Sequence, residues 1–101
     1  MAERRKFSSI EKQRIYAKCN GRCGICGSPV NFDDMTVDHI IPLSRGGTNA
    51  MDNLRLACRT CNRSKGNLSD EEFCKLAFKI IVNYKRKSLM HIFTKEKVQY
   101  E

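Results

Sequence analysis

The chain has 101 residues, room for one small domain spanning 1–101 and not for two. Its 19 Lys and Arg against 11 acids give a net charge of +8, which points to a polyanionic partner, nucleic acid before an anionic membrane surface. No apolar run approaches the roughly 18 residues of a membrane span and nothing resembles a signal peptide, so a cytoplasmic chain with no membrane partner is expected.

Ser8 followed by Glu11 is a capping-box pattern and predicts a first helix over about 9–19, stopped by Asn20-Gly21. The segment 1–22 holding this helix carries seven Lys and Arg against two acids. Cys23 and Cys26 follow as C-G-I-C, with Gly24 and Gly27 for tight turns, and 29–34 reads as a connection or short strand. Val37, Ile40 and Ile41 predict a strand over 37–41, closed by Pro42, and a loop over 44–52 comes next. Leu54-Arg55-Leu56-Ala57 is a short apolar alternation that can pair back as a hairpin. From 23 to 58 the chain is locally acidic, two Lys and Arg against four acids, whereas 59–67 carries three bases and no acid.

Cys58 and Cys61 form a second pair, C-R-T-C, opening a short helix that ends at Gly66-Asn67. Two C-x-x-C pairs 31 residues apart read as one tetrahedral site for structural Zn²⁺, closed by four thiolates with no position left for water. Cys19 and Cys74 fall outside it and read as half-buried small hydrophobes. Ser69 with Glu72 caps a last helix over about 69–87, on which Phe73, Leu76, Ala77, Ile80, Ile81 and Tyr84 form one core-facing stripe. Lys85, Arg86 and Lys87 suit its C-terminal dipole. Residues 88–101 are left as helix extension, docked segment or flexible tail. With so short a chain, the zinc is expected to supply much of the folding free energy.

The chemistry-bearing residues lie between the two pairs and just after them. Asp38 is a hard oxygen ligand, and His39 is the side chain best suited to act as a base near neutral pH. Strand alternation turns the two to opposite faces. The following P-L-S-R-G-G-T-N loop can bring Arg45 near a phosphate, and the Asn53 amide can brace that loop. Asn62 follows the last zinc cysteine, with Lys65 three residues on, along one helical face.

In this order, C-G-I-C, V-D-H-I-I-P-L-S-R-G-G-T-N and D-N-L-R-L-A-C-R-T-C-N-R-S-K resemble the HNH endonuclease family, over about residues 23–67. The resemblance implies an α+β chain: a ββα-metal core (motif core 19–67) stapled by a four-cysteine zinc site and flanked by N- and C-terminal helices. It implies a metal-dependent DNA endonuclease that hydrolyses phosphodiester bonds, by nicking or double-strand cleavage. His39 is then the general base, Asp38 a ligand of the catalytic metal, and Asn53 the middle Asn that orders loop and base. Cys23, Cys26, Cys58 and Cys61 match the zinc-bearing variant of the family.

The third motif position, usually His, falls on Asn62. An amide oxygen ligates harder ions, so an H-N-N site favours Mg²⁺ or Mn²⁺, with Ni²⁺, Co²⁺ or Zn²⁺ as alternatives. The competing view is that Asn62 has lost the ligand role and the enzyme with it. Arg63, Lys65 and Arg45 are the expected phosphate contacts. Products with 5′-phosphate and 3′-hydroxyl ends are implied. No separate recognition domain is visible, so weakly specific cleavage of double-stranded DNA is expected, unless a partner protein directs it in a bacterial or phage-infected cell. The alternative class, a non-catalytic zinc-knuckle module binding DNA or RNA, explains the charge and the cysteines but leaves Asp38, His39 and Asn53 without a role.

Overall fold

A computed structural model describes residues 6–95, with side chains as far as residue 90. The described chain is α+β: helix α1 (Ser9–Lys18), strands β1 (Thr36–His39) and β2 (Leu54–Ala57), helix α2 (Arg59–Lys65) and helix α3 (Asp70–Lys95). It divides into two compact units, residues 1–70 and 71–101.

The capping box of α1 is made in both directions. Ser8 N donates to Glu11 Oε1 at 2.9 Å, and Glu11 N donates to Ser8 Oγ at 3.1 Å. Asn20 and Gly21 then adopt left-handed backbone, φ 55° and 68°, and turn the chain into the first cysteine pair. An isolated bridge, Arg22 with Pro29, and a single 3-10 turn, Phe32–Asp34, replace the short strand considered for 29–34.

β1 and β2 form an antiparallel hairpin in the register Thr36–Ala57, Val37–Leu56, Asp38–Arg55, His39–Leu54. Alternation sends Val37, His39, Leu54 and Leu56 to one face and Thr36, Asp38, Arg55 and Ala57 to the other. On the first face Leu54 and Leu56 cluster with the buried Ile15 of α1, and Phe7 packs nearby. On the second face α2 supplies Asn62 to Thr36 and Lys65 to Asp38.

β1 is displaced from the expected 37–41: it begins at Thr36 and stops at His39. Beyond it Ile40 N donates to the Asn53 backbone carbonyl, and Ile41 N to the Asn53 side chain. The first bond is the last of the ladder, and the second spends the Ile41 amide on the base of the 40–53 loop. The loop itself contains two 3-10 turns, Leu43–Arg45 and Met51–Asn53. Its Gly-Gly corner is obligatory: Gly46 has φ +90°, and a Cβ on Gly47 would lie 1.8 Å from the Ile41 carbonyl oxygen.

The core is small, comprising Ile15, Cys23, Val30, Leu54, Leu56 and Ala57. Cys19 is half-buried, its Sγ accepting from Leu56 N at 3.3 Å. Cys74, expected to be half-buried, is exposed on α3.

Helix α3 is described by itself. It runs to Lys95 instead of ending near 87, because 85–95 contains no Gly or Pro to break it. Residues 96–101, the rest of the expected tail, lie outside the described residues. The expected core stripe is not buried: Leu76, Ile80, Ile81 and Tyr84 are all exposed. Among the described residues its unit contains no second element against which a stripe could pack. No described helix is long and apolar enough to cross a membrane.

Candidate active site and four-cysteine cluster

The Sγ atoms of Cys23, Cys26, Cys58 and Cys61 all lie within 4.8 Å of one another, while tetrahedral zinc with Zn–S near 2.3 Å places its sulfurs about 3.8 Å apart. Backbone N–H groups point at the sulfurs: Ile25 N and Cys26 N to Cys23 Sγ at 3.3 and 3.5 Å, and Cys61 N to Cys58 Sγ at 3.4 Å. The last bond also makes Cys58 the N-cap of α2.

The thiols titrate apart. Hydrogen bonds from Ser28 hold Cys26 down at about 6. Burial pushes Cys23 up, but the N–H groups of Cys26, Cys58 and Ile25 outweigh it and leave that thiol lowered. Burial and neighbouring sulfurs push Cys61 up. A cluster that stabilises some thiolates and cannot ionise fully without a cation fits a divalent soft-ligand ion such as zinc. It joins the segment before β1 to the start of α2, and Gly24 N reinforces the join by donating to Leu56 O at 2.7 Å.

Asp38, His39 and Asn62 line one cavity of about 240 Å³, together with Pro42, Ser44 and Gly66. Asp38 and His39 leave β1 on opposite faces, yet both border this space because the strand ends there. His39 is 6% exposed. Its Nε2 lies 2.8 Å from Asn49 Oδ1, and its ring centroid is 6.2 Å from that of Phe7. A carbonyl oxygen can only accept, so Nε2 carries the proton and Nδ1 is the ring's basic nitrogen. Asn49 was not anticipated. Its only sequence signal is a polar amide at the end of G-G-T-N.

Asp38 is 4% exposed and surrounded by cations. Arg55 Nε donates to its Oδ2 at 2.8 Å, and Lys65 Nζ lies 3.2 and 3.1 Å from its two oxygens. Lys65 also donates to the carbonyls of His39 at 3.0 Å and Ile40 at 3.2 Å. Arg55 grips Asp70 with both terminal nitrogens, at 3.0 and 2.6 Å. That grip holds the Asp70 carboxyl below its usual range. Two acids and two bases thus form a formally neutral network.

One expectation is corrected here. The Lys65 side chain is 0% exposed and serves Asp38, so it is not a phosphate contact. A long aliphatic stem in the first helix after the hairpin reaches inward because a carboxylate awaits it. Arg55 and Asp70 were missed as well, although Arg55 stands directly opposite Asp38 in the hairpin register.

Asn62 anchors its amide nitrogen on β1, donating to Thr36 Oγ1 at 3.0 Å and Val37 O at 3.4 Å. The carbonyl oxygen is the atom left over for an ion. Asp38 uses three of its roughly four lone-pair positions on Arg55 and Lys65, so one remains. This donor set, a carboxylate and an amide oxygen, fits a hard divalent cation. Asn53 is committed to the loop: it accepts from Ile41 N at 2.8 Å and donates to Ile41 O at 3.0 Å and Thr48 O at 2.8 Å. Arg63 is exposed beside Asn62, and Arg45 is exposed in the loop, away from the cavity lining.

Comparison with known proteins agrees with this geometry. Residues 23–68 match the model of the HNH endonuclease family. Over 63 residues, 61% of the chain, it is 40% identical to the CRISPR-associated endonuclease Cas9 of Corynebacterium diphtheriae, of which it covers 5%. It is similar in structure to the Type II-C Cas9 enzyme from Actinomyces naeslundii, with a TM-score of 0.56 and 28% identity over 66% of this chain and 8% of that one. A type II restriction endonuclease shares the fold at a TM-score of 0.55 and 22% identity, over 78% of this chain and 41% of that one. The chain spans less than a tenth of each Cas9 relative and under half of the restriction endonuclease. Residues 23–68 are thus the part of this chain that resembles the HNH endonuclease family.

Proposed function

We propose that this domain hydrolyses phosphodiester bonds of double-stranded DNA, with His39 as general base. Asp38 and Asn62 would hold one divalent cation, Mg²⁺ or Mn²⁺ by the hardness of their oxygens, with Ni²⁺, Co²⁺ or Zn²⁺ as substitutes. Such an ion supplies charge neutralisation at the scissile phosphate and at the departing oxygen. The observation that carries the reading is the single cavity bordered by Asp38, His39 and Asn62.

Within that cavity His39 Nδ1 takes the proton of the attacking water, while Nε2–H stays pinned on Asn49. Asn53 holds the two ends of the 40–53 loop together and so fixes Asn49 and the ring it positions. Arg55 and Lys65 keep the Asp38 carboxylate oriented. Cys23, Cys26, Cys58 and Cys61 hold a structural zinc, outside the chemistry. Arg63, and Arg45 from the loop, contact phosphate. Hydrolysis leaves 5′-phosphate and 3′-hydroxyl ends, and a partner protein or further domain supplies sequence choice, in the cytoplasm of a bacterial or phage-infected cell.

The test is incubation of the purified chain with supercoiled plasmid and Mg²⁺ or Mn²⁺, beside His39→Ala. Conversion to nicked or linear DNA is expected for the wild-type chain, with a loss of about a hundredfold or more in the variant. Equal cleavage by both proteins would refute the assignment of the base.

A further inference from the structure

The sequence points to Arg45, Arg63 and Lys65 as the phosphate contacts, and Lys65 is buried. The remaining surface around the site shows where a strand can run. Two further cavities adjoin the central one. One, of about 470 Å³, is walled by Lys6 and Lys12 of the N-terminal segment and α1 over a floor of Phe7, Met35 and Val37, and it reaches His39. The other, of about 340 Å³, is walled by Arg59 and Arg63 of α2 and reaches Asn62.

The three spaces share lining residues. His39 borders the first and the central cavity. Asn62 and Gly66 border the central and the second. Thr36 borders both outer ones. Among the described residues the one acid in the three linings is Asp38, already paired with Arg55 and Lys65.

We infer that these cavities form one continuous track for a DNA strand, which crosses β1 between α1 and α2. Lys6 and Lys12 hold phosphates on one side of the scissile bond, and Arg59 and Arg63 hold those on the other. The chemistry fits such a strand: cations at both ends suit successive phosphates, and the apolar floor of Phe7, Met35 and Val37 suits the deoxyribose between them. Helix α1 thereby becomes a substrate-binding element as well as the cover of the hairpin. This inference rests on the nuclease reading and specifies its substrate path.

A control lies on the same helix. Arg14 is exposed like Lys12 but is two residues on, about 200° around the α1 axis, and it lines none of the three cavities. Binding of a fluorescent DNA duplex to the full chain, with no divalent cation added, is measured by anisotropy from low to moderate salt. Lys12→Ala and Arg59→Ala are each expected to flatten the slope of log affinity against log salt by about one and to weaken binding several-fold. Arg14→Ala is expected to leave the slope within error of wild type. All three side chains are exposed, and circular dichroism spectra that match wild type verify that the variants fold. Equal effects of Lys12→Ala and Arg14→Ala would overturn the track in favour of a diffuse basic surface, as would unchanged slopes in Lys12→Ala and Arg59→Ala. The plasmid assay separates the two readings: cleavage with no site-dependent slope sinks the track alone, and site-dependent slopes with no cleavage sink the nuclease alone.

Discussion

Replacing Lys65 with Met tests whether this side chain belongs to the fold or to the substrate. The ammonium is fully buried, shares both Asp38 oxygens and caps the carbonyls of His39 and Ile40. Met preserves most of the stem's apolar volume and removes the charge and the three donors. Breaking a buried pair by deleting one partner costs about 3–5 kcal/mol. Arg55 still holds Asp38 Oδ2 at 2.8 Å, which argues for the lower end. The two stranded carbonyls add about 1–3 kcal/mol each if water cannot reach them. A loss of about 5 kcal/mol, from the lower end of each range, is therefore the working figure. A domain of some 70 residues has total stability of roughly 4–10 kcal/mol, so Lys65→Met should sit close to unfolding at 25 °C. Urea denaturation followed by far-UV circular dichroism measures it, with Lys65→Met in Asp38→Asn as the coupling control. The double variant should lose less than the sum of the two single losses, by about 1 kcal/mol or more. An unchanged midpoint combined with a several-fold loss of DNA affinity would refute the reasoning and return Lys65 to the phosphate.

Three other outcomes follow from the same geometry. Cys58→Ser should lose about one equivalent of zinc and most helical signal, since the metal's binding free energy is coupled to folding, whereas Cys19→Ser and Cys74→Ser should keep the zinc; metal analysis with a zinc-sensitive dye decides. Asn49→Ala frees the His39 ring and should slow plasmid cleavage roughly tenfold or more with DNA binding unchanged, whereas Asn49→Asp keeps an acceptor for Nε2–H and should recover part of the rate; identical rates in all three would remove Asn49 from the mechanism. The Asp70 carboxyl is lowered in the folded chain, so its stabilisation is complete above the unfolded value near 3.9 and disappears as pH falls through the folded one. The stability difference between wild type and Asp70→Asn should accordingly hold steady from pH 7 to about 4 and shrink as pH falls below the unfolded value, and a difference that does not fall with acidification would exclude the Arg55 ion pair as its source.

What the sequence discloses is what is local in it. The capping box of α1, the two cysteine pairs and the hairpin follow from neighbours a few residues apart. The cysteine spacing reaches further only because a tetrahedral ion imposes one geometry on all four thiolates. The partners of Asp38 were not legible, because Arg55 and Lys65 stand 17 and 27 residues away, and nothing in a run such as L-R-L-A says that its charge turns inward. The length of β1 differs for a related reason: Ile40 and Ile41 have strand propensity, but the Asn53 side chain captures the amide and carbonyl of Ile41. On α3 the periodicity is real, while burial of a stripe requires a partner surface that periodicity cannot supply.

The hairpin register explains how so small a core supports a charged site. Alternation divides the strands' side chains, so α1 covers the face bearing Leu54 and Leu56 while α2 covers the face bearing Asp38 and Arg55. Apolar burial is concentrated on the first face and polar organisation on the second. His39 belongs by register to the apolar face, where Phe7 and Leu54 restrain the ring, and Asp38 belongs to the polar one. A continuous strand would hold them on opposite sides of a wall. Termination of β1 at His39, enforced by Asn53, removes that wall at the one residue where base and carboxylate must share a space. The apolar setting of the imidazole and the ionic setting of the carboxylate are thus kept apart along the strand and joined at its end. Loss of Asn53 would therefore act on both, by letting β1 continue past the point where its two faces meet.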